Sequence, residues 1–248
     1  LFISTRAGNA QIYVMDADGN NPRALTQGPA ENTDPVWSPD GHRIAFTSYR
    51  DGNAEIYVMN ADGSHVSCLT DHPLSDNVPA WTADGRIVFR SMRDGHSEFY
   101  VMDANGGNLR RLTESRIDKG APLLSPDGQR LAFVGIDMHT REQQVYVMPL
   151  TGGEARAVTT GKTQKFSPAW SPDGLRLAYA ERKGNFLSLW AVEVDTGQAV
   201  RLTDTDRYNN TQPVWSPDGR RIAFVSKRDG SAMEQARGDI FVCLLYTS

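Results

Sequence analysis

Cysteine is nearly absent: Cys68 and Cys243 are the two thiols in 248 residues. Two cysteines cannot build a disulfide framework and are too few for a zinc site, and such low use suits a cytoplasmic or a periplasmic protein equally. No apolar run reaches the length needed to span a membrane, so a soluble chain with no membrane span is expected. Lys and Arg number 26 against 30 Asp and Glu, and they are scattered instead of gathered into a basic stripe, which argues against a nucleic-acid partner. The apolar fraction of 39% is low for a globular domain, while the charged fraction of 23% is ordinary. There is no signal peptide and no initiator Met, and the opening Leu1-Phe2-Ile3-Ser4 reads as the middle of a strand. The chain is therefore expected to be a fragment, and its missing targeting information does not place the parent protein.

The motifs that carry chemistry are missing as well. A serine hydrolase needs a nucleophile elbow such as G-x-S-x-G, and none occurs. The five histidines (His42, His65, His72, His96, His139) are never at H-E-x-x-H spacing and read as loop or surface residues. Asp16-Ala17-Asp18-Gly19 looks faintly like a calcium loop but lacks the Gly at the sixth position and the Glu at the twelfth. Asn60-Ala61-Asp62-Gly63 and Asp103-Ala104-Asn105-Gly106 stand at the same place in other repeats, so a β-turn explains it better. No catalytic residue, cofactor or metal ligand is expected, and the chain is read as not an enzyme.

What is present is repetition, which settles architecture before any local assignment. Trp-Ser-Pro-Asp-Gly begins at Trp37, Trp170 and Trp215, with variants starting at Trp81 and Leu124, so the anchors lie 44, 43, 46 and 45 residues apart. A second phrase, Ile-Tyr-Val-Met or a close variant, starts at Ile12, Ile56, Phe99, Val145, Leu189 and Ile240. A third, Leu-Thr, begins at 25, 69, 112 and 202, with Val158-Thr159 in the remaining copy. A period of about 40–45 residues holding four short strands is that of a propeller blade.

Turn chemistry divides each repeat. Strand A is read as Pro35–Ser38, ending in a Pro-Asp-Gly turn where Pro presets φ. Strand B is Ile44–Ser48, followed by the link Arg50-Asp51-Gly52; strand C is Glu55–Met59 and strand D Val66–Thr70. Strands B and C are apolar on both faces, as in sheets packed on both sides. Small Ala45, Ala132, Ala178 and Ala223 recur at one strand B position, where blades would crowd. The expected fold is all-β: a β-propeller of four-stranded antiparallel blades with four complete blades and two partial ones.

The blade parts are 1–26, 35–70, 79–113, 122–159, 168–203 and 213–242. The first and last overlap in strands B and C, so the parent ring has at least six blades. After Phe241-Val242 the repeat calls for Met and Ala-Asp-Gly, but the chain reads Cys243-Leu244-Leu245-Tyr246-Thr247-Ser248. That string matches a translated transposon end used in preparing sequencing libraries, and residues 243–248 are read as an artefact.

The repeats Pro-x-Trp-Ser-Pro-Asp-Gly, Ile-Ala-Phe-x-Ser, Ile-Tyr-Val-Met and Leu-Thr resemble those of the TolB-type propeller family over residues 1–242. Two departures are Leu124 in place of Trp and Gly135–Gln144 in place of the Arg-Asp-Gly link. The resemblance implies a periplasmic or secreted scaffold of the Tol–Pal kind, a monomer that binds protein partners of the cell envelope, among them a lipoprotein. Similar propellers also cap prolyl-oligopeptidase-type peptidases, so the alternative is a gating propeller whose hydrolase domain lies outside this sequence. A third reading is a carbohydrate- or small-ligand-binding propeller, with the tryptophans stacking sugars; their repetition at one strand A position favours packing between blades.

The carboxylates of Asp40, Asp127, Asp173 and Asp218 suit the turns that hold them. Arg50-Asp51-Gly52, Arg93-Asp94-Gly95 and Arg228-Asp229-Gly230 read as tight polar turns before a ring of charge. The A–B and C–D turns emerge on one face of an antiparallel blade, the B–C and D–A links on the other. The second face carries what differs between repeats: Gln27–Asp34, Asp71–Val78, Glu114–Ala121, Thr160–Ser167 and Asp204–Gln212, with the excursions Gly135–Gln144 and Lys227–Gly238. Variable loops on a rigid scaffold are where recognition is usually placed. A partner is expected there, with Tyr208, Asn209, Asn210, Lys165, Arg116 and Asp118 as its contacts.

Overall fold

The computed structural model describes residues 1–203, 207–227 and 239–244, and it is built of strands; no helix occurs among the described residues. The chain runs through six antiparallel sheets, each a meander in which sequence neighbours pair. The first sheet holds β1 (Phe2–Ser4), β2 (Gln11–Val14) and β3 (Arg23–Ala24). The second holds β4 (Asn32–Trp37), β5 (Arg43–Ser48), β6 (Glu55–Asn60) and β7 (Ser67–Cys68). The third holds β8 (Asp76–Trp81), β9 (Arg86–Ser91), β10 (Glu98–Asp103) and β11 (Arg110–Arg111). In the fourth, strand A is split into β12 (Ile117–Lys119) and β13 (Leu123–Leu124), followed by β14 (Arg130–Asp137), β15 (Gln143–Pro149) and β16 (Arg156–Ala157). The fifth holds β17 (Lys165–Trp170), β18 (Arg176–Lys183), β19 (Phe186–Glu193) and β20 (Ala199–Arg201), and the sixth β21 (Asn209–Trp215), β22 (Arg221–Lys227) and β23 (Asp239–Leu244). These are the blades of an all-β propeller, with the first sheet supplying strands B–D and the last A–C, as the repeat requires. In β23 the pairing continues past Val242 through Cys243 and Leu244, opposite Ile222 and Arg221. Residues 245–248 and the Arg228-Asp229-Gly230 link lie outside the described residues.

Strand A corrects the sequence reading. It begins at Asn32, Asp76, Lys165 and Asn209, not at the proline three or four residues later. Proline has no N–H for the ladder, and that marked it as a strand start. The chain instead passes the proline through a bulge: Thr33 pairs with Thr47 and Val36 with Ala45, leaving Asp34 and Pro35 opposite Phe46 alone. Asp34 takes the extra turn with φ at 51°, and Val78, Ser167 and Gln212 do the same before their own prolines. The sequence pattern alone assigns the first residues of these strands to the links.

The residues group into two compact units, Leu1–Ser115 and Arg116–Ser248. Within unit 1, Ile12 and Leu25 of the first sheet region pack with Ile44, Phe46, Tyr57 and Met59. Ala45, Ile56 and Val58 then meet Trp81, Ile87, Phe89, Tyr100 and Met102 of the third sheet. Within unit 2, Ala132, Val145 and Val147 face Trp170, Leu177, Tyr179 and Val192, and Ala178 and Ala191 face Trp215 and Ile222. The second sheet packs between the first and third, and the fifth between the fourth and sixth, so both are apolar on both faces; Ala45, Ala132 and Ala178 sit fully buried at the crowded strand B position.

The anchor tryptophans explain their own recurrence. In unit 2 the indole N–H of Trp170 donates to the Leu123 carbonyl at 3.1 Å and that of Trp215 to the Ala169 carbonyl at 3.0 Å, each reaching the preceding sheet. Arg130 and Arg176 lie over these two rings at 5.2 and 4.9 Å, and in unit 1 Arg43 lies over Trp81 at 5.0 Å. Three of the four tryptophans are thus packed between blades; Trp37 is 40% exposed.

Candidate functional site

The B–C and D–A ends of the blades are held by a latch that repeats with the fold. The strand D threonine accepts from the backbone N–H one residue into the Tyr-Val-Met phrase: Thr26 from Ile12, Thr70 from Ile56, Thr113 from Phe99, Thr159 from Val145 and Thr203 from Leu189. Its hydroxyl donates to the side chain that opens strand C, which is Gln11, Glu55, Glu98 or Gln144. That acidic or amide side chain then reads the polarity of the loop leading to the next strand A. Gln11 donates to the carbonyls of Gly28 and Ala30, and Gln144 to that of Gly161. Glu55 instead accepts from the His72 N–H and Glu98 from the Ser115 N–H. Where glycine at positive φ turns a carbonyl inward the latch is an amide; where an N–H points inward it is a carboxylate.

The Arg-Asp-Gly links are turns with a second duty. Gly52 and Gly95 have φ of 100° and 83°, as a tight turn requires. Arg50 lies over Tyr57 at 4.4 Å and Arg93 over Tyr100 at 4.5 Å. The Tyr57 hydroxyl donates to Asp51, and that of Tyr100 to Asp94. Burial, reinforced by Asp94, pushes the Tyr100 phenol up to about 12, and burial with Asp51 raises Tyr57 further. Arg93 also pairs with the buried Asp76 at 2.7 Å. On the opposite face, each Pro-Asp-Gly carboxylate is spent on its own turn: Asp40 accepts from the Ser38 hydroxyl at 2.6 Å and the His42 N–H at 3.0 Å. Asp127, Asp173 and Asp218 are held alike, and the serine hydroxyls, then the backbone amides, keep their carboxyls below the ordinary range. Asp18 likewise closes a turn on the Asn20 N–H. Among the described residues no group of three or more potential metal ligands is gathered.

The six residues expected to touch a partner separate into two kinds. Arg116 and Asp118 are exposed, and Tyr208 and Asn209 half-buried, at the D–A side of unit 2. Lys165 and Asn210 are core residues, 0% and 2% exposed. Lys165 Nζ donates to the carbonyls of Thr160 and Thr163 at 2.8 and 2.9 Å and to the Thr163 hydroxyl at 3.0 Å, with Glu181 at 3.5 Å. Burial draws its ammonium pKa down, against the pull of Glu181. Both residues occupy the first buried position of strand A, five residues before the anchor, a place held elsewhere by Asn32, Asp76 and Lys119. The sequence carried that signal: the five positions keep the 44-, 43-, 46- and 45-residue beat and are polar every time. The latch threonines are those of the Leu-Thr phrase, and their Gln or Glu partners keep the same beat, but only the fold shows that the two are paired.

The exposed residues belong to loops that are tied to one another through unit 2. The Met138 N–H donates to the Arg116 carbonyl at 2.9 Å, joining strand A of the fourth sheet to the β14–β15 hairpin. Gln144, at the base of that hairpin, holds Gly161, and the Arg182 N–H donates to the Gln164 carbonyl at 2.9 Å. The Leu187 N–H donates to the Asn209 side-chain oxygen at 3.0 Å. Links of three successive blades thus form a continuous rim.

Six sheets of this register, with this latch and these turns, are the blades of a β-propeller of the repeat type. The family described as the TolB beta propeller domain matches residues 1–70, 32–134 and 112–235, and the chain belongs to it. The Tol-Pal system protein TolB of Desulfosudis oleivorans is 45% identical over 47 residues, 19% of this chain and 11% of that protein. The chain thus aligns with about a tenth of the length of this curated relative. A putative TolB from Agrobacterium tumefaciens superposes with a TM-score of 0.69 at 24% identity, covering 91% of this chain and 81% of that one. A puromycin-hydrolyzing peptidase from Mycobacterium tuberculosis superposes with a TM-score of 0.72 at 17% identity, covering 97% of this chain and 41% of that one. At these identities the structural likenesses show the fold alone.

Proposed function

We propose that the chain is part of a non-enzymatic scaffold that binds protein partners in the cell envelope, as TolB-like proteins do. The observation that carries this reading is the division of labour in each blade. Polar groups that recur in every repeat are consumed by turns and latches, while the exposed side chains that differ between blades gather on the B–C and D–A rim. Arg116, Asp118, Tyr208 and Asn209 are its candidate contacts, and Lys165 and Asn210 support the rim from beneath. The setting is periplasmic or secreted, the partner a protein such as an envelope lipoprotein, and the propeller acts as a monomer. Affinity for a crosslinked and identified envelope partner should fall at least about tenfold when Arg116, Asp118, Tyr208 and Asn209 are replaced by alanine together. Unchanged affinity would remove the rim from the interface.

The second reading is a gating propeller of a prolyl-oligopeptidase-type peptidase, whose fold the puromycin-hydrolyzing peptidase shares. The sequence of the gene on either side of this stretch separates the two. A small α/β domain upstream supports the scaffold, and a downstream G-x-S-x-G followed by Asp and His supports the gate.

A further inference from the structure

The B–C and D–A links differ in charge between the two units. In unit 1, the exposed charged residues of the B–C and D–A links are Arg6 and Arg50 against Glu31, Asp51, Asp71, Asp94 and Glu114. Most of these groups are already engaged, as Arg50 is with Tyr57 and Asp94 with Tyr100. In unit 2, the exposed charges at the same blade ends, among the described residues, are Arg116, Arg141, Lys162, Lys183 and Arg207 against Asp118 and Asp239. Asp137, Glu142 and Glu181 are half-buried, and Glu181 faces inward to Lys165 and the Thr163 hydroxyl. Two longer hairpins, β14–β15 and β18–β19, lift Arg141 and Lys183 at their tips, and Met138, 47% exposed, stands beside Arg141.

We propose that the unit 2 rim is a docking surface for an acidic peptide segment of the partner, with Arg116, Arg141, Lys162 and Lys183 meeting its carboxylates and Met138 offering an apolar contact. This rests on the reading of the rim as a protein-binding surface and names the chemistry of what it binds. A chain with a formal charge of −4 overall that exposes a cationic rim at one set of links concentrates attraction for anions there. The hydrogen-bonded chain of loops holds the cations in register, which lowers the ordering cost of binding.

The test uses the whole chain with fluorescein-labelled oligoglutamate and oligolysine probes, read by fluorescence anisotropy at low salt. The expected result is preference for oligoglutamate, weakening as salt shortens the screening length. The triple reversal R141E/K162E/K183E is expected to lower that affinity at least about tenfold, and the unit 1 pair E31K/D71K to change it less than about twofold. The milder R141Q/K162Q/K183Q, checked for an unchanged circular dichroism spectrum, should lose an intermediate amount. A triple variant that binds oligoglutamate like the parent, or a parent chain that ignores it or prefers oligolysine, overturns the proposal. An identified partner whose affinity falls with the alanine set but is untouched by triple reversal would leave the scaffold reading standing and overturn the acidic segment. A partner indifferent to both sets would overturn the scaffold reading itself.

Discussion

The two units solve one problem differently at the bend between strands B and C. In unit 1 the bend is a short Arg-Asp-Gly turn, and its arginine folds back over the strand C tyrosine and hydrogen-bonds a strand B serine, Ser48 or Ser91. In the fourth sheet of unit 2 the serine is Gly135 and the arginine is gone. Ile117 of β12 fills the space: a Cβ on Gly135 would collide with Ile117 Cγ2 and lie 3.0 Å from Tyr146. Phe133 and Tyr146 stack there at 5.5 Å with an interplanar angle of 13°. A guanidinium over a tyrosine and an isoleucine over a glycine cover the same ring, and the second frees the link to lengthen into a hairpin. The core of a blade tolerates new loops only where another side chain takes over the covering role.

The largest effect should come where the units are alike. Phe89→Ala in unit 1 and Phe133→Ala in unit 2 each empty a fully buried site, and each should cost about 3–5 kcal/mol in denaturant unfolding. A gap of more than about 2 kcal/mol between the two would break the equivalence of their cores. At the bend the units should part. Gly135→Ser must displace Ile117 and is expected to destabilise by about 2–3 kcal/mol. The reciprocal Ser91→Gly removes the hydroxyl that accepts from the Arg93 Nε–H and backbone N–H and should cost about 1 kcal/mol. Equal costs would mean that Gly135 is not chosen for space.

Arg93→Lys keeps the charge but loses the planar stack on Tyr100 and the fork that spans Ser91 and Asp76. Its expected cost is about 1–2 kcal/mol, measured by the same unfolding curves. The smallest effect belongs to the turns, which the units share. The carboxyls of Asp40, Asp127 and Asp218 are held below the usual 3.8 by serine hydroxyls and backbone amides, so their protons bind the unfolded chain more readily. Their contribution is full above the unfolded value and is lost as pH falls through the folded one. Asp127→Asn should therefore flatten slightly the loss of stability below about pH 4, with little change at neutral pH.

The propeller, the four strands of each blade and the inter-blade role of the tryptophans were legible because all three repeat. A phrase that returns on a fixed beat at Trp81, Trp170 and Trp215 must answer a demand of the blade itself. The start of strand A was not legible, because Pro35, Pro79, Pro168 and Pro213 look like breaks until the bulge carries the ladder past them. Lys165 and Asn210 look like surface for the same reason: polar residues before a proline suggest a loop, and nothing local shows that the loop before Lys165 folds its carbonyls around the ammonium.

By itself the sequence determined the architecture, since period, turn residues and two-faced apolar strands are local properties that sum to one solution. Only the tertiary structure decided which polar residues are spent inside and which remain for a partner. Burial depends on what neighbouring loops bring to the same place: Glu181 and the Thr160 and Thr163 carbonyls bury Lys165, while Lys162, three residues away, is left in water.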